Sequence, residues 1–146
     1  MYDYHLHSTY SQDSRITIDE ICETQIKNGF KEIAITDHVD YKFAGNKDFV
    51  LDYENYIKDI DRAKETYAGV LEIVRGVEIG LQPNTVEENI NFIKNHRFDF
   101  VIGSVHFVNG ENLFNGEFCS TRSRENAYRE YLTCLLDVVE SFPYFN

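Results

Sequence analysis

Short apolar segments alternate along the chain with longer segments in which apolar residues recur every three or four positions. The first pattern predicts β-strands and the second predicts α-helices. Strands are predicted at residues 2–6, 32–36, 71–77 and 98–103. Helices are predicted between Thr17 and Gly29, at about residues 53–68 and 85–95, and between Ser123 and Pro143. The order of these elements predicts four consecutive β/α units.

Local signals mark the ends of the predicted helices. Thr17 and Glu20 match a capping box at the first helix, and Thr85 and Glu88 match another at the third helix. The charged segment from residue 37 to about residue 52 is predicted to be a loop. Tyr144-Phe145 is predicted to begin a fifth strand.

Four β/α units in a row predict one α/β domain, residues 1–146, with a parallel sheet and helical crossovers. This sheet is either an open doubly wound sheet or part of a (β/α) barrel. No glycine-rich phosphate loop follows the first strand, which argues against dinucleotide-binding and P-loop sheets. A closed barrel typically needs about 250 residues. The 146 residues therefore predict about half of a barrel.

Each predicted strand ends on a side chain that can bind a metal ion. These side chains are His5 and His7 on the first strand, then His38, Glu78 and His106 on the next three, with Asp13 in the loop after His7. The carboxyl ends of barrel strands are where such enzymes place their active sites. A single histidine is a weak signal, but four of the five histidines fall at strand ends. The fifth, His96, is explained by the end of the third helix and serves as an internal control.

Imidazole and carboxylate ligands together suit zinc, manganese or iron. The six candidate ligands exceed the needs of one tetrahedral ion and predict two or three divalent ions, with Glu78 as the bridging carboxylate. Glu78, His38 and Asp37 are the predicted catalytic residues. Asp37 either orients an imidazole or is a solvated loop carboxylate, and these two interpretations have equal support.

Basic residues near the predicted site are candidates for contacts with substrate phosphate. Arg122 and Arg124 are the main candidates. Lys42 and Lys47 also lie in a predicted strand-to-helix loop on the side of the site. Most of these charges are expected to be solvated. Arg75 is predicted to face away from Glu78 and to be structural.

The net charge of −11 argues against nucleic-acid and anionic membrane partners. A small phosphorylated substrate is compatible with this charge only where bound cations reverse the local field. No apolar run is long enough to cross a bilayer, and no C-x-x-C pair is present, so the expected location is the cytoplasm. Cys22 and Cys134 are predicted to be buried and Cys119 to lie in a loop. The sequence leaves the oligomeric state open.

The chain resembles the PHP (polymerase and histidinol phosphatase) family. The matching motifs are His5-Leu6-His7 with Asp13, Thr36-Asp37-His38, Gly76-Val77-Glu78 and Gly103-Ser104-Val105-His106. They occur in the order in which the family has them and span nearly the whole chain. The segments 77–81 and 104–108 resemble the histidinol phosphatases of that family most.

This resemblance implies the first four units of a (β/α)₇ barrel with a metal centre at the strand ends. It implies that His5 and His7 hold one ion, that Glu78 bridges to a second ion bound by His106, and that Asp13 and His38 hold a third. It also implies hydrolysis of histidinol phosphate. The family's later histidine and its Asp-x-His motif have no counterpart here, so we expect a C-terminally truncated domain with weak activity and a tendency to self-associate.

Three other functions are compatible with parts of the pattern. A PHP-type nuclease would share the ligands, but the negative charge argues against it. An amidohydrolase-type deaminase can share the His-x-His motif, yet it does not ordinarily place ligands on the next three strands as well. A metal-binding fragment without catalytic activity is the non-enzymatic alternative.

Overall fold

The computed structural model describes residues 1–43 and 47–146, which form a mixed α/β fold. The strands are β1 Tyr2–Leu6, β2 Glu32–Ile35, β3 His38–Phe43, β4 Lys47–Phe49, β5 Glu72–Gly80, β6 Phe100–Ser104, β7 Phe107–Val108 and β8 Glu111–Asn112. The helices are α1 Ile18–Lys27, α2 Tyr53–Thr66, α3 Val86–Asn95, α4 Glu117–Ser120 and α5 Arg124–Ser141. All four predicted strands and all four predicted helices are confirmed.

The four predicted strands lie side by side and parallel, in the order β1, β2, β5, β6. Neighbouring parallel strands joined by helical crossovers are what successive β/α units produce. All four carboxyl ends therefore lie at one edge of the sheet. The strand-end side chains predicted to bind metal are brought to that edge.

The predicted loop after residue 36 is wrong, because β3 and β4 form an antiparallel pair there. Residues 44–46 of this predicted loop lie outside the described part of the chain. β2 and β3 are two parts of one interrupted strand, since Ile35 pairs with Arg75 and His38 pairs with Glu78, a constant difference of 40 residue numbers. The Tyr56 hydroxyl lies 2.7 Å from the Ile35 carbonyl oxygen and 2.8 Å from that of Gly76, and so supports the interruption.

Of the two capping boxes predicted from the sequence, the one at α1 is present and the one at α3 is not. Thr17 and Glu20 form the predicted capping box of α1. At α3 the predicted box is wrong, because the Thr85 hydroxyl donates to the Gln82 carbonyl and accepts from the Asn89 amide. Glu88 instead pairs with Lys42 at 2.9 Å. Tertiary contacts at the edge of the sheet therefore replace the local cap.

One apolar core joins the helices to the sheet, and Ile33, Ile35 and Val77 are among its fully buried strand residues. Cys22 and Cys134 are buried, as predicted. The predicted loop position of Cys119 is wrong, because this exposed cysteine lies in α4. Tyr144-Phe145 forms no strand, so that prediction is wrong, although the Asn146 N–H donates to the Val101 carbonyl at the outer side of β6. None of the described helices, in residues 1–43 and 47–146, has the length and apolar character that crossing a membrane requires.

Candidate metal centre

The backbone geometry of four strands brings the predicted ligands together. His38, the first residue of β3, is the register partner of Glu78 in β5. His106 follows β6, which pairs with β5 on its other side. His5 lies near the end of β1 and His7 just beyond it. These five side chains converge at the carboxyl edge of the sheet.

Glu78 is the centre of the cluster, and only 2% of this residue is exposed. Its Oε2 lies 3.1 Å from His5 Nε2, 3.0 Å from His7 Nε2 and 3.2 Å from His38 Nδ1. Its Oε1 lies 3.2 Å from His106 Nε2. One carboxylate thus touches four imidazoles from three different chain segments.

The donor atoms at the centre of the cluster are close without being properly hydrogen-bonded. His7 Nε2, His38 Nδ1 and Glu78 Oε2 are buried, yet none of them has a hydrogen-bond partner of acceptable geometry among the described residues. Buried polar atoms ordinarily have partners because desolvation without one is costly. Nitrogen and carboxylate lone pairs that converge on a shared space suit a divalent cation. The residues present therefore fit a metal centre.

The described residues contain three overlapping groups whose ligand atoms lie within 4.8 Å of one another. The groups are His5, His7 and Glu78; His7, Asp13 and His38; and His38, Asp40 and His106. Asp13 reaches His7 Nδ1 at 2.9 Å and His38 Nε2 at 3.4 Å. Every ligand predicted from the sequence belongs to at least one group.

Asp40 is the member that the sequence prediction missed. It is 3% exposed, and its Oδ1 lies 2.8 Å from His106 Nδ1. Asp40 follows His38 by two positions, and residues two apart share one face of a strand. That spacing signals its place only once residues 38–43 are recognised as a strand.

Gly80 provides the space that the Asp40 carboxylate occupies. Asp40 is the register partner of Gly80. A Cβ atom on Gly80 would lie 1.8 Å from Asp40 Oδ1 and 3.2 Å from His106 Nδ1. A side chain at this position is therefore incompatible with the contact between Asp40 and His106.

Asp37 lies beneath the cluster and has a different role from either predicted one. It is fully buried, so the solvated interpretation is wrong. Its carboxylate accepts from the Ser8 backbone N–H at 2.7 Å and from the Ser8 and Ser11 hydroxyls at 2.6 Å each. Ser11 in turn accepts from the His38 backbone N–H at 2.9 Å. Asp37 thus fastens the loop that carries Asp13 to the segment that carries His38, and its hydrogen bonds go to serines, with no imidazole among them.

The basic residues predicted to contact phosphate are placed elsewhere. Arg122 pairs with Glu111 at 2.7 Å and Glu130 at 3.3 Å, so its guanidinium is occupied by carboxylates. Arg124 lies 5.6 Å from the centre of the Tyr128 ring, on α5. Neither arginine lines the cavity at the metal centre. The prediction that these two arginines hold phosphate is not supported by their positions.

The two residues predicted to be structural are outside the cluster. His96 ends α3, where its Nδ1 lies 2.8 Å from the Phe92 carbonyl oxygen. Arg75 pairs with Asp61 of α2 at 2.6 Å. Both predictions are confirmed, and His96 remains a valid control for experiments on the other four histidines.

A cavity of about 610 Å³ opens above the ligands. Its floor carries the histidines and carboxylates of the cluster, and its side is formed by aromatic and aliphatic residues. This volume is in the range of small-molecule sites in proteins, about 300–1,000 Å³. The cavity can therefore place a small ligand directly on the ligand cluster.

The carboxylates raise the pKa of two of the imidazoles, those of His7 and His106. Burial alone would lower the pKa of His7, but its close contacts with the carboxylates of Glu78 and Asp13 outweigh burial and raise this pKa to about 9. Burial is likewise outweighed at His106, where Asp40 and Glu78 raise the pKa to about 10. Burial alone would raise the pKa of Glu78, yet its histidine contacts hold that pKa far below the usual range. An ion that binds here must therefore displace protons.

We expect opposite pH dependences of stability with and without metal. In chelator-treated protein the raised pKa values of His7 and His106 stabilise the fold fully below about pH 6.5, the ordinary histidine pKa. This contribution is lost as the pH rises through about 9 and 10. With zinc present, stability should instead increase with pH, because ions compete with protons for the imidazoles. Melting temperatures measured between pH 6.5 and 9 test this, and parallel profiles for the two samples would contradict it.

The chain resembles known proteins over nearly its whole length. The PHP domain family matches residues 3–143. The chain is 37% identical over 145 residues to the histidinol-phosphatase of Lactococcus lactis subsp. lactis (strain IL1403). The aligned region covers 99% of the chain and 54% of that protein. It is 27% identical over 146 residues to a probable histidinol-phosphatase of Clostridium acetobutylicum. This aligned region covers 100% of the chain and 55% of that protein. The chain thus spans about half the length of these curated relatives.

A solved structure shares the fold. It is the crystal structure of histidinol phosphate phosphatase from Lactococcus lactis, complexed with zinc, L-histidinol and phosphate. The TM-score is 0.93 at 36% sequence identity, and the match covers 99% of this chain and 55% of that chain.

Proposed function

This chain belongs to the PHP domain family, and on that premise we propose that the complete protein hydrolyses histidinol phosphate to histidinol and phosphate with bound divalent metal ions. The observation that carries the proposal is the convergence of His7 Nε2 and His38 Nδ1 on Glu78 Oε2, all three buried and without properly aligned hydrogen bonds. Such a cluster at the carboxyl ends of parallel strands suits chemistry on a small substrate. The names of the relatives supply the substrate.

We propose that the ligands hold two or three ions of zinc, manganese or iron. His5 and His7 with Glu78, His7 with Asp13 and His38, and His38 with Asp40 and His106 are the three sets that support this number. Glu78 is the bridging residue, since its two oxygens face ligands of different sets. Divalent ions in such a site neutralise phosphate oxygens and lower the pKa of water toward neutrality.

The protein's own groups determine where those ions and the substrate can sit. Asp40 accepts the Nδ1 proton of His106, which leaves His106 Nε2 free to face Glu78. Asp37 fixes the loop between His7 and Asp13 through Ser8 and Ser11. The net charge of −11 is unfavourable for an anionic substrate, so positive charge held by these ligands is what attracts phosphate to this cavity.

We also propose that the sheet is part of a (β/α)₇ barrel and that residues 1–146 are four units of one domain. The Tyr4 ring on β1 and the Phe100 ring on β6 have their centroids 5.1 Å apart. In a flat sheet these strands would be separated by about 14 Å, because neighbouring strands lie about 4.8 Å apart. Strong curvature toward one face is what a barrel wall requires.

The function is tested by phosphate release from histidinol phosphate. We expect the complete protein to release phosphate, to lose this activity after chelation, and to recover it when zinc or manganese is restored. Single-stranded DNA serves as the alternative substrate and should be left intact. Phosphate release that is insensitive to chelator, or degradation of DNA without release from histidinol phosphate, would contradict the proposal.

A further inference from the structure

Helix α3 carries an amide side chain, Asn89, on the face that packs against the sheet. Asn89 and Phe92 are the buried residues of this helix, and Asn89 is fully buried. A helix that only covers a sheet places apolar residues on its buried face, because an amide group loses its hydration there. We therefore expect Asn89 to have a role besides packing.

The hydrogen bonds of Asn89 indicate what that role is. Its Nδ2 donates to the Gly80 carbonyl at 3.1 Å and to the Thr85 hydroxyl at 3.2 Å. Its Oδ1 is buried and has no hydrogen-bond partner among residues 1–43 and 47–146. A buried oxygen without a partner costs stability, and a leucine would fill a similar volume without that cost. The benefit of the amide therefore lies in what its N–H groups hold, and one of these groups is the last residue of β5.

Gly80, which Asn89 holds, is the residue that leaves room for the Asp40 carboxylate. The two are register partners, and Asp40 Oδ1 occupies the space that a Cβ atom on Gly80 would take. The same Oδ1 atom lies 2.8 Å from His106 Nδ1. Because this fit leaves no spare space, a movement of the Gly80 backbone toward β3 would push the carboxylate away from His106. The position of the β5 end therefore determines the contact between Asp40 and His106.

A second buried amide holds the neighbouring strand at the same level. Gln82 is buried, and its Nε2 donates to the Tyr41 carbonyl at 3.0 Å. Tyr41 directly follows Asp40 on β3. Asn89 thus holds the end of β5 and Gln82 holds β3, on the two sides of the contact between Asp40 and Gly80.

We propose that these two buried amides are positioning residues for the contact between Asp40 and His106, on which the ligand group of His38, Asp40 and His106 depends. The inference rests on the proposed function, because it concerns how one of its metal sites keeps its geometry. Asn89 and Gln82 act through the backbones of the two strands. The other two ligand groups do not contain Asp40. Loss of either amide should therefore weaken one metal site and leave the others unchanged.

The first test measures zinc affinities by competition with a chromophoric chelator. Asn89→Leu should weaken one zinc site about 10-fold, the lower end of the range for loss of a group that orients a metal ligand. Gln82→Met should weaken the same site, and the double variant should lose less than the product of the two single losses, because both amides act on one contact. Ile60→Val, at a fully buried residue of α2, is the matched control. It should lower the melting temperature and leave every zinc affinity unchanged.

The second test needs no metal and observes the contact itself. In chelator-treated protein with ¹⁵N-labelled histidine, the His106 Nδ1 proton that Asp40 accepts should give a downfield NMR resonance that exchanges slowly with water. Asn89→Leu and Gln82→Met should each cause loss of this resonance through faster exchange. Ile60→Val should keep it, because a general loss of stability leaves the contact in place.

The two tests separate failure of this inference from failure of the proposed function. In protein that binds zinc, an unchanged affinity in both amide variants, or an equal loss at every site, would overturn the inference. A His106 resonance that persists in both variants would overturn it as well. If Asn89→Leu does not fold, Gln82→Met decides the outcome by the same criteria. An unmutated protein that binds no zinc would instead refute the proposed function, and the NMR comparison would still decide the role of the amides.

Discussion

Glu78→Gln should lower the kcat/KM of the complete protein for histidinol phosphate by at least about 100-fold, the upper range for loss of a residue that supports a metal site. Gln preserves the size of the side chain but removes the charge that lies 3.0–3.2 Å from four imidazole nitrogens. An amide also cannot bridge two ions as a carboxylate does. The measurement is steady-state kinetics together with the metal content of the purified variant.

His96→Gln is the matched control for Glu78→Gln. His96 contacts the Phe92 carbonyl and lies outside all three ligand groups. Its replacement should cost about 1 kcal/mol of stability through the helix end and leave activity and metal content unchanged. Equal losses of activity in the two variants would remove the basis for assigning Glu78 to the metal centre.

Gly80→Ala should disrupt the site although it adds only a methyl group. The new Cβ would overlap Asp40 Oδ1 at 1.8 Å, so the carboxylate must leave His106. We expect about 1–3 kcal/mol of destabilisation from overpacking and about 10- to 100-fold weaker metal binding. Thermal unfolding and competition with a chromophoric chelator measure the two effects separately.

Gly103→Ala distinguishes damage to the site from damage to the fold. Gly103 is also a strand glycine, on β6, and a Cβ there would lie 2.8 Å from Leu81 Cδ1. The added methyl group would therefore meet an apolar side chain and no metal ligand. This variant should lose stability and retain metal affinity, and a loss of affinity equal to that of Gly80→Ala would contradict the role given to Gly80.

The strands and their terminal ligands were predictable because two simple regularities agree. Apolar runs of strand length alternate with helical periods, and parallel strands place their carboxyl ends at one edge. Every predicted ligand from His5 to His106 follows from that placement, except Asp13, which lies in the loop after His7. The isolation of His96 follows as well, since it ends a helix.

The part that could not be predicted lies where polar residues form strands. Residues 37–52 carry so many charges that their pattern indicates a loop, yet β3 continues the line of β2 along β5. Asp40 was missed for this reason. The Asp40 carboxylate occupies space that is open only because Gly80 has no side chain. Asp40 and Gly80 are far apart in the sequence, so the sequence pattern does not reveal this proximity.

The roles of charged residues near the site depended on partners that the sequence does not reveal. Asp37 is buried by Ser8 and Ser11, and burial raises its pKa despite those hydrogen bonds. Arg122 is engaged by Glu111 and Glu130 and is thereby removed from the cavity. The type and position of Asp37 and Arg122 in the sequence fit their observed contacts and their predicted roles equally well. The sequence alone therefore does not distinguish between the two.

The most direct test of the account is to locate the metal ions by anomalous X-ray scattering from crystals of the zinc-loaded protein. We predict two or three peaks at the carboxyl edge of the sheet, each adjacent to one of the three ligand groups and at least two of them adjacent to Glu78. No peak should lie near His96. Peaks at other positions, or a single site that excludes Glu78, would contradict the proposal that these strand ends form a multinuclear metal centre.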